Sequence, residues 1–131
     1  MYTIQKTQTF TDTISFQGGV EAENGLTIHF QLKATAELAT QYRAIRLRLL
    51  SLQKQIQTDP GNTETMSEIG KCIVQTFSLL FGEQNTEAIV RFYENDLEQM
   101  LLDVFPYIQN VIVPEIEKTV KTRKQQFRKR F

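Results

Sequence analysis

The chain has 131 residues, of which 40% are hydrophobic and 23% charged, values that suit one globular domain and exclude wholesale disorder. One cysteine and one histidine exclude an internal disulfide framework and the usual zinc sites, which draw about four ligands largely from those types. Fifteen basic residues balance fifteen acidic ones, but seven of the bases lie in residues 118–131 with no carboxylate, so a formally −7 stretch over residues 1–117 precedes a cationic end.

No apolar run approaches the ~20 residues needed to cross a bilayer, and the opening MYTIQKTQTF lacks the apolar segment of a secretory signal. With a lone thiol suited to a reducing compartment, these features predict a soluble intracellular protein without membrane contact.

Residues 1–34 read as strand. They are rich in Thr, Ile and Phe, with turn signals at Gly18-Gly19 and Asn24-Gly25. Leu26, Ile28, Phe30 and Leu32 alternate with Thr27, His29 and Gln31, the pattern of a strand with one wet face. A two-residue Asn-Gly turn would send the apolar sets to opposite faces. A three-residue loop, Glu23-Asn24-Gly25, instead pairs Ala22 with Leu26 and Val20 with Ile28. A like count around Gln17-Gly18-Gly19 sets Phe16 opposite Val20, giving an antiparallel meander or hairpin covered on one face by helices.

Residues 35–120 switch to helical spacing. Leu38, Tyr42, Ile45, Leu49, Leu52 and Ile56 form one seam, with Arg43, Arg46, Arg48 and Lys54 off it, and Asp59-Pro60-Gly61-Asn62 ends the helix. The seam reads as core-facing; a partner groove or an intermolecular coiled coil is the alternative. Thr65-x-x-Glu68 is a capping box opening a second helix whose face is Met66, Ile69, Ile73, Phe77 and Leu80, with Gly82 closing it. Asn85 or Thr86 caps a short helix through Ala88, Ile89, Phe92 and Tyr93, and Asn95 with Glu98 caps the next.

In the last third, Leu97, Leu101, Phe105, Ile108, Ile112, Ile116 and Val120 recur at helical spacing, with kinks or restarts at Pro106 and Pro114. A short strand over Val111-Ile112-Val113 is the alternative to helix there. Residues 121–131 are too polar to bury and are expected to fray or remain disordered. The predicted architecture is α+β: one domain over residues 1–120, with an N-terminal antiparallel meander or hairpin, three or four packed helices, and a basic C-terminal helix or tail.

No arrangement of residues points to catalysis. His29 has no titratable partner in sequence, and Cys72 sits beside an apolar helix face where a structural thiol is the default. Glu94, Asp96, Glu98 and Asp103 lie near a helix start, where they complement its dipole. No catalytic residue, cofactor site or metal ligand is therefore expected. The cationic end is different: a helix C-terminus explains a few bases, not seven. Contact with nucleic acid or an acidic partner is the rival reading, with Phe127 and Phe131 placed to stack on bases or anchor in a groove.

Phe81-Gly82 closing one helix, the short helix from Thr86 to Tyr93, and the run MLLDVFPYI from Met100 to Ile108 before Pro114 lead into a basic helix. Over residues 70–126 this pattern resembles the tail assembly chaperones and small tail proteins of phages and prophages of Gram-positive bacteria. The resemblance implies a non-enzymatic protein of the bacterial host cytoplasm that binds phage tail proteins, the tape measure or tail tube, by covering their apolar helical stripes. It also leaves room for a homo-oligomer. Candidate contacts are Phe105, Tyr107, Ile108 and Ile112 as apolar anchors, with Lys121, Arg123 and Lys124 steering acidic partners. A nucleic-acid-binding accessory protein acting through the basic end is the alternative.

Overall fold

A computed structural model describes residues 1–5, 9–18 and 25–131. Strands β1 (Phe10–Phe16) and β2 (Leu26–Leu32) pair antiparallel, with Phe10 opposite Leu32, Ile14 opposite Ile28 and Phe16 opposite Leu26. Strand alternation turns Ile14, Phe16, Ile28, Phe30 and Leu32 inward and leaves Thr11, Thr13, Thr27 and His29 in solvent. The expected loop Glu23-Asn24-Gly25 and its Ala22–Leu26 and Val20–Ile28 pairs depend on residues 19–24, which lie outside the described residues. Among the described residues Leu26 and Ile28 face Phe16 and Ile14.

Helix α1 (Ala36–Thr58) starts where the Thr35 hydroxyl accepts from the Leu38 N–H at 3.0 Å. Its seam behaves as one stripe: Leu38, Leu49 and Leu52 are buried, while Tyr42, Ile45 and Ile56 are half-buried against the same core. α1 packs on α2 (Thr63–Phe81). The expected start of α2 at Thr65 is corrected: the Asn62 side chain accepts from the Thr65 N–H at 3.1 Å and opens the helix earlier, while Thr65 itself is buried. Ile69, Ile73, Phe77 and Leu80 face the core, but Met66, at the same helix's first turns, is exposed.

Gly82, at φ 86° and ψ 161°, joins α2 to α3 (Glu83–Phe92). Neither Asn85 nor Thr86 caps α3 as expected. The Thr86 hydroxyl donates back to the Gly82 carbonyl at 2.7 Å, and Asn85 Nδ2 donates to the carbonyls of Phe81 and His29, both at 2.9 Å. Asn85 thereby ties α3 to α2 and to β2. α4 (Leu97–Tyr107) is capped by Asp96, which accepts from the Gln99 N–H at 3.3 Å, one residue later than the expected Asn95; Asn95 sits in the turn at φ 67°.

α4 runs through a π turn (Ile108–Ile112) into α5 (Val113–Arg130), with helical dihedrals at each join. The short-strand alternative over residues 111–113 does not hold. The π turn has a cause in the sequence. Met100, Val104, Ile108, Ile112 and Ile116 are all buried and all four residues apart. At 3.6 residues per turn each such step drifts by about 40°, so four steps would carry the stripe about 160° around a straight α-helix, out of the core. A single wider turn absorbs one extra residue and brings the stripe back. It also stands immediately before Pro114, whose ring would press on the carbonyl four residues earlier in an unbroken α-helix.

The expectation that residues 121–131 fray is also corrected: α5 is helical through Arg130. Nothing after Pro114 breaks a helix, and Lys, Arg and Gln are good helix formers. The resulting α+β fold is an antiparallel hairpin followed by four helical rods, the last of them assembled from α4, the π turn and α5. One core cluster takes residues from the hairpin and from every rod. At its centre Phe30 meets Phe81 edge to face at 4.9 Å, Phe77 lies 5.6 Å from Phe81, and Phe16 lies 5.7 Å from Phe92.

Candidate functional site

The exposed end of α5 carries the densest concentration of charged chemistry. Ile116 is its last buried residue; Thr119, Val120 and Arg123 are half-buried, and every residue from Lys124 onward is exposed. Glu115, Thr119 and Arg123 line a small cleft with Phe10, Lys33 and Ala34, at the start of β1 and the end of β2. Past Arg123 the helix leaves the body and projects for about 12 Å.

On this projection the rings of Phe127 and Phe131, one helical turn apart, stack at 4.8 Å with an interplanar angle of 30°. Lys121, Arg123, Lys124 and Arg128 surround Phe127 around an open concavity of about 580 Å³. Arg128, Lys129 and Arg130 occupy the last turn, where cations offset the helix's partial negative charge. That effect falls off within a turn, so Lys118, Lys121, Arg123 and Lys124 have no such role. Among the described residues the ion pairs are Arg48–Glu68 at 3.6 Å and Lys71–Glu68 at 3.2 Å, both between or within α1 and α2. Among the described residues no carboxylate pairs with the cations of α5, and all of them but the half-buried Arg123 are exposed.

The structure divides the expected contact residues into two groups. Lys121, Arg123 and Lys124 are together on α5. Ile108 and Ile112 are 0% exposed and form core, so they are corrected from anchors to packing residues. Phe105 is half-buried and already engaged, with the Arg46 guanidinium 4.5 Å from its ring centroid. Tyr107 is half-buried too; its hydroxyl donates to Asp12. Roughly 20 Å of helix separates Tyr107 from Lys121, so the two groups stand well apart along the rod. Phe127, Phe131 and Arg128 complete the exposed site. Their signal in the sequence was an aromatic pair spaced four apart within a basic run.

Elsewhere several titratable groups have structural roles. His29 Nδ1 lies 2.9 Å from the Thr13 hydroxyl on the wet face of the hairpin. Burial pushes the Cys72 thiol up from its ordinary value. Asp103 accepts from the Tyr93 hydroxyl at 3.0 Å and from Gln99 Nε2 at 2.6 Å. Among the described residues no group of three His, Cys, Asp or Glu side chains could hold a metal ion, and no helix is long and apolar enough to cross a membrane. Comparison with models of protein families, with curated proteins and with solved structures found no match to this chain.

Proposed function

We propose that this chain is a non-enzymatic phage or prophage tail assembly chaperone or accessory protein that binds a helical tail protein, the tape measure or tail tube, in the bacterial host cytoplasm. The observation that supports it most is the projecting end of α5, a helix presenting an aromatic pair amid cations that form no ion pair among the described residues. Such a helix fits the apolar stripe of another helix through Phe127 and Phe131, with flanking carboxylates met by Lys121, Arg123 and Lys124. The resemblance of residues 70–126 to the tail chaperones supplies the choice of partner.

The test is a nuclease-treated pull-down from cells making phage tails, with retained proteins identified by mass spectrometry. Retention of a long helical tail protein, and its loss on Phe127→Ala with Phe131→Ala, is the expected result. A deletion strain that assembles normal tails, with no tail protein retained, overturns the reading.

The cations around Phe127 also favour a second reading, nucleic-acid binding, since aromatic rings in a basic groove are what single strands stack on. That reading requires binding that weakens steeply with salt and disappears when residues 121–131 are removed.

A further inference from the structure

Two exposed surfaces of opposite charge exist on this chain, and neither finds the other within it. Residues 118–131 carry seven bases. Residues 83–103 carry six carboxylates (Glu83, Glu87, Glu94, Asp96, Glu98 and Asp103) against the single base Arg91. All six of those residues are exposed. None takes part in an ion pair among the described residues, and the same holds for the seven bases. Because α5 is one helix through Arg130, its end cannot bend back to reach α3.

Between α2 and α3 lies an open groove of about 650 Å³. Val74 and Val90 supply apolar lining, and Glu83, Glu87 and Arg91 supply charge. Its chemistry complements the end of α5: an apolar seat for the Phe127 ring, and two carboxylates one turn apart for Lys124 and Arg128, which are likewise one turn apart, with Arg91 at the groove's edge. We infer that the occupant is a second copy of this chain, whose Phe127 seats against Val74 and Val90 while Lys124 and Arg128 pair with Glu87 and Glu83.

The contact is heterologous, with different patches on the two partners. A pair therefore leaves one basic end and one acidic groove unfilled, and association continues as concentration rises. Its ionic part is exposed to solvent and screened over about 8 Å at physiological salt and about 3 Å at 1 M, so high salt dissolves the assembly. The inference rests on charge and shape within this chain and does not depend on the tail-protein reading.

The test uses two charge-reversed variants of the full chain, Glu83→Lys with Glu87→Lys, and Lys124→Glu with Arg128→Glu. Mass is read by sedimentation after nuclease treatment. Wild type is expected to grow in mass with concentration at low salt and to return to monomer at 1 M salt. Each variant alone is expected to be monomeric, because each lacks one half of every contact. Their equimolar mixture restores opposite charge at both kinds of contact, intact end with intact groove and reversed end with reversed groove, so it is expected to assemble again, in alternation, and to grow in mass with concentration. Circular dichroism checks folding; should a reversal unfold the chain, Glu83→Gln with Glu87→Gln, or Lys124→Gln with Arg128→Gln, replaces it. A wild type monomeric at every concentration, a mixture that stays monomeric, or a lone variant that still assembles would each overturn the inference. So would a nuclease-treated monomer that binds duplex DNA through α5 instead.

Discussion

The Tyr107 hydroxyl donates a hydrogen bond to Asp12 Oδ2, joining the end of α4 to β1 across 95 positions of sequence. Asp12 falls in the inward register of β1, alongside Ile14 and Phe16, where a carboxylate must find donors. It has two: Tyr107, and the Thr13 N–H at 2.8 Å from the other oxygen. The bond from Tyr107, and then that from Thr13, hold its carboxyl below the ordinary value of 3.8.

Tyr107→Phe is expected to destabilise the fold by about 1 kcal/mol, read as a lower urea midpoint with unchanged slope. The bond's pH dependence has a definite sign. A folded-state value below 3.8 means that the stabilisation is present above pH 3.8 and is lost as pH falls through the lower folded value. Wild type should therefore lose part of its advantage over Tyr107→Phe in acid. An unchanged gap between the two proteins from neutral pH to pH 2 would refute the assignment.

Tyr93 sets the opposite limit. Burial, and then its bond to Asp103, push its hydroxyl up to about 12 from 10.0. A raised folded value stabilises fully below pH 10 and loses that contribution as pH climbs toward about 12. Alkaline unfolding followed by tyrosinate absorbance should begin above pH 10. Tyr93→Phe is expected to lower stability at neutral pH and to reduce its fall between pH 10 and pH 12.

Ile112 and Val111 are adjacent yet opposite in consequence. Ile112 is 0% exposed and Val111 is 37% exposed. Ile112→Ala is expected to cost about 2–5 kcal/mol, and Val111→Ala about 0.5 kcal/mol or less. Chemical denaturation of the two variants separates a core role for Ile112 from a contact role, which would spare stability and weaken partner binding.

Gly82 has nothing within 4 Å of the position a Cβ would take, so space alone would admit any small residue. Its φ of 86° does not, since a side chain there strains the backbone. Gly82→Ala is expected to cost about 1–2 kcal/mol, whereas Gly61→Ala, also uncrowded and without that φ, should be near neutral in thermal melts.

Much of the fold was legible because burial follows period. Leu26 to Leu32 alternate as a half-buried strand must, and Leu38 to Ile56 recur as a helix face must. The caps were less so. Asn62 and Thr65 are both good cap residues three apart, and only the helix geometry decides which one accepts and which is buried. Asn85 and Thr86 look like caps but turn their donors backward, because Gly82 already begins the helix. The candidate contact site was half legible. A basic run with two phenylalanines four apart announces itself, but Ile108 and Ile112 read equally as stripe or core, and the constant four-residue spacing that decides between them was the overlooked signal. Tyr107's partner Asp12 could not be read at all, since it lies at the other end of the chain.

The π turn also works as an angular index. Everything beyond Ile112 inherits its phase from that single widened turn, including the arc on which Lys121, Lys124, Phe127 and Arg128 stand. Removing one residue from the turn would leave charge and composition almost untouched and favour an ordinary α-helix. The arc would then swing by about 100° about its axis relative to the body. Single-residue deletions are tolerated in many loops; here one would re-aim the whole cationic face, so chain length between Tyr107 and Val113 is as much a determinant of the surface as any side chain on it.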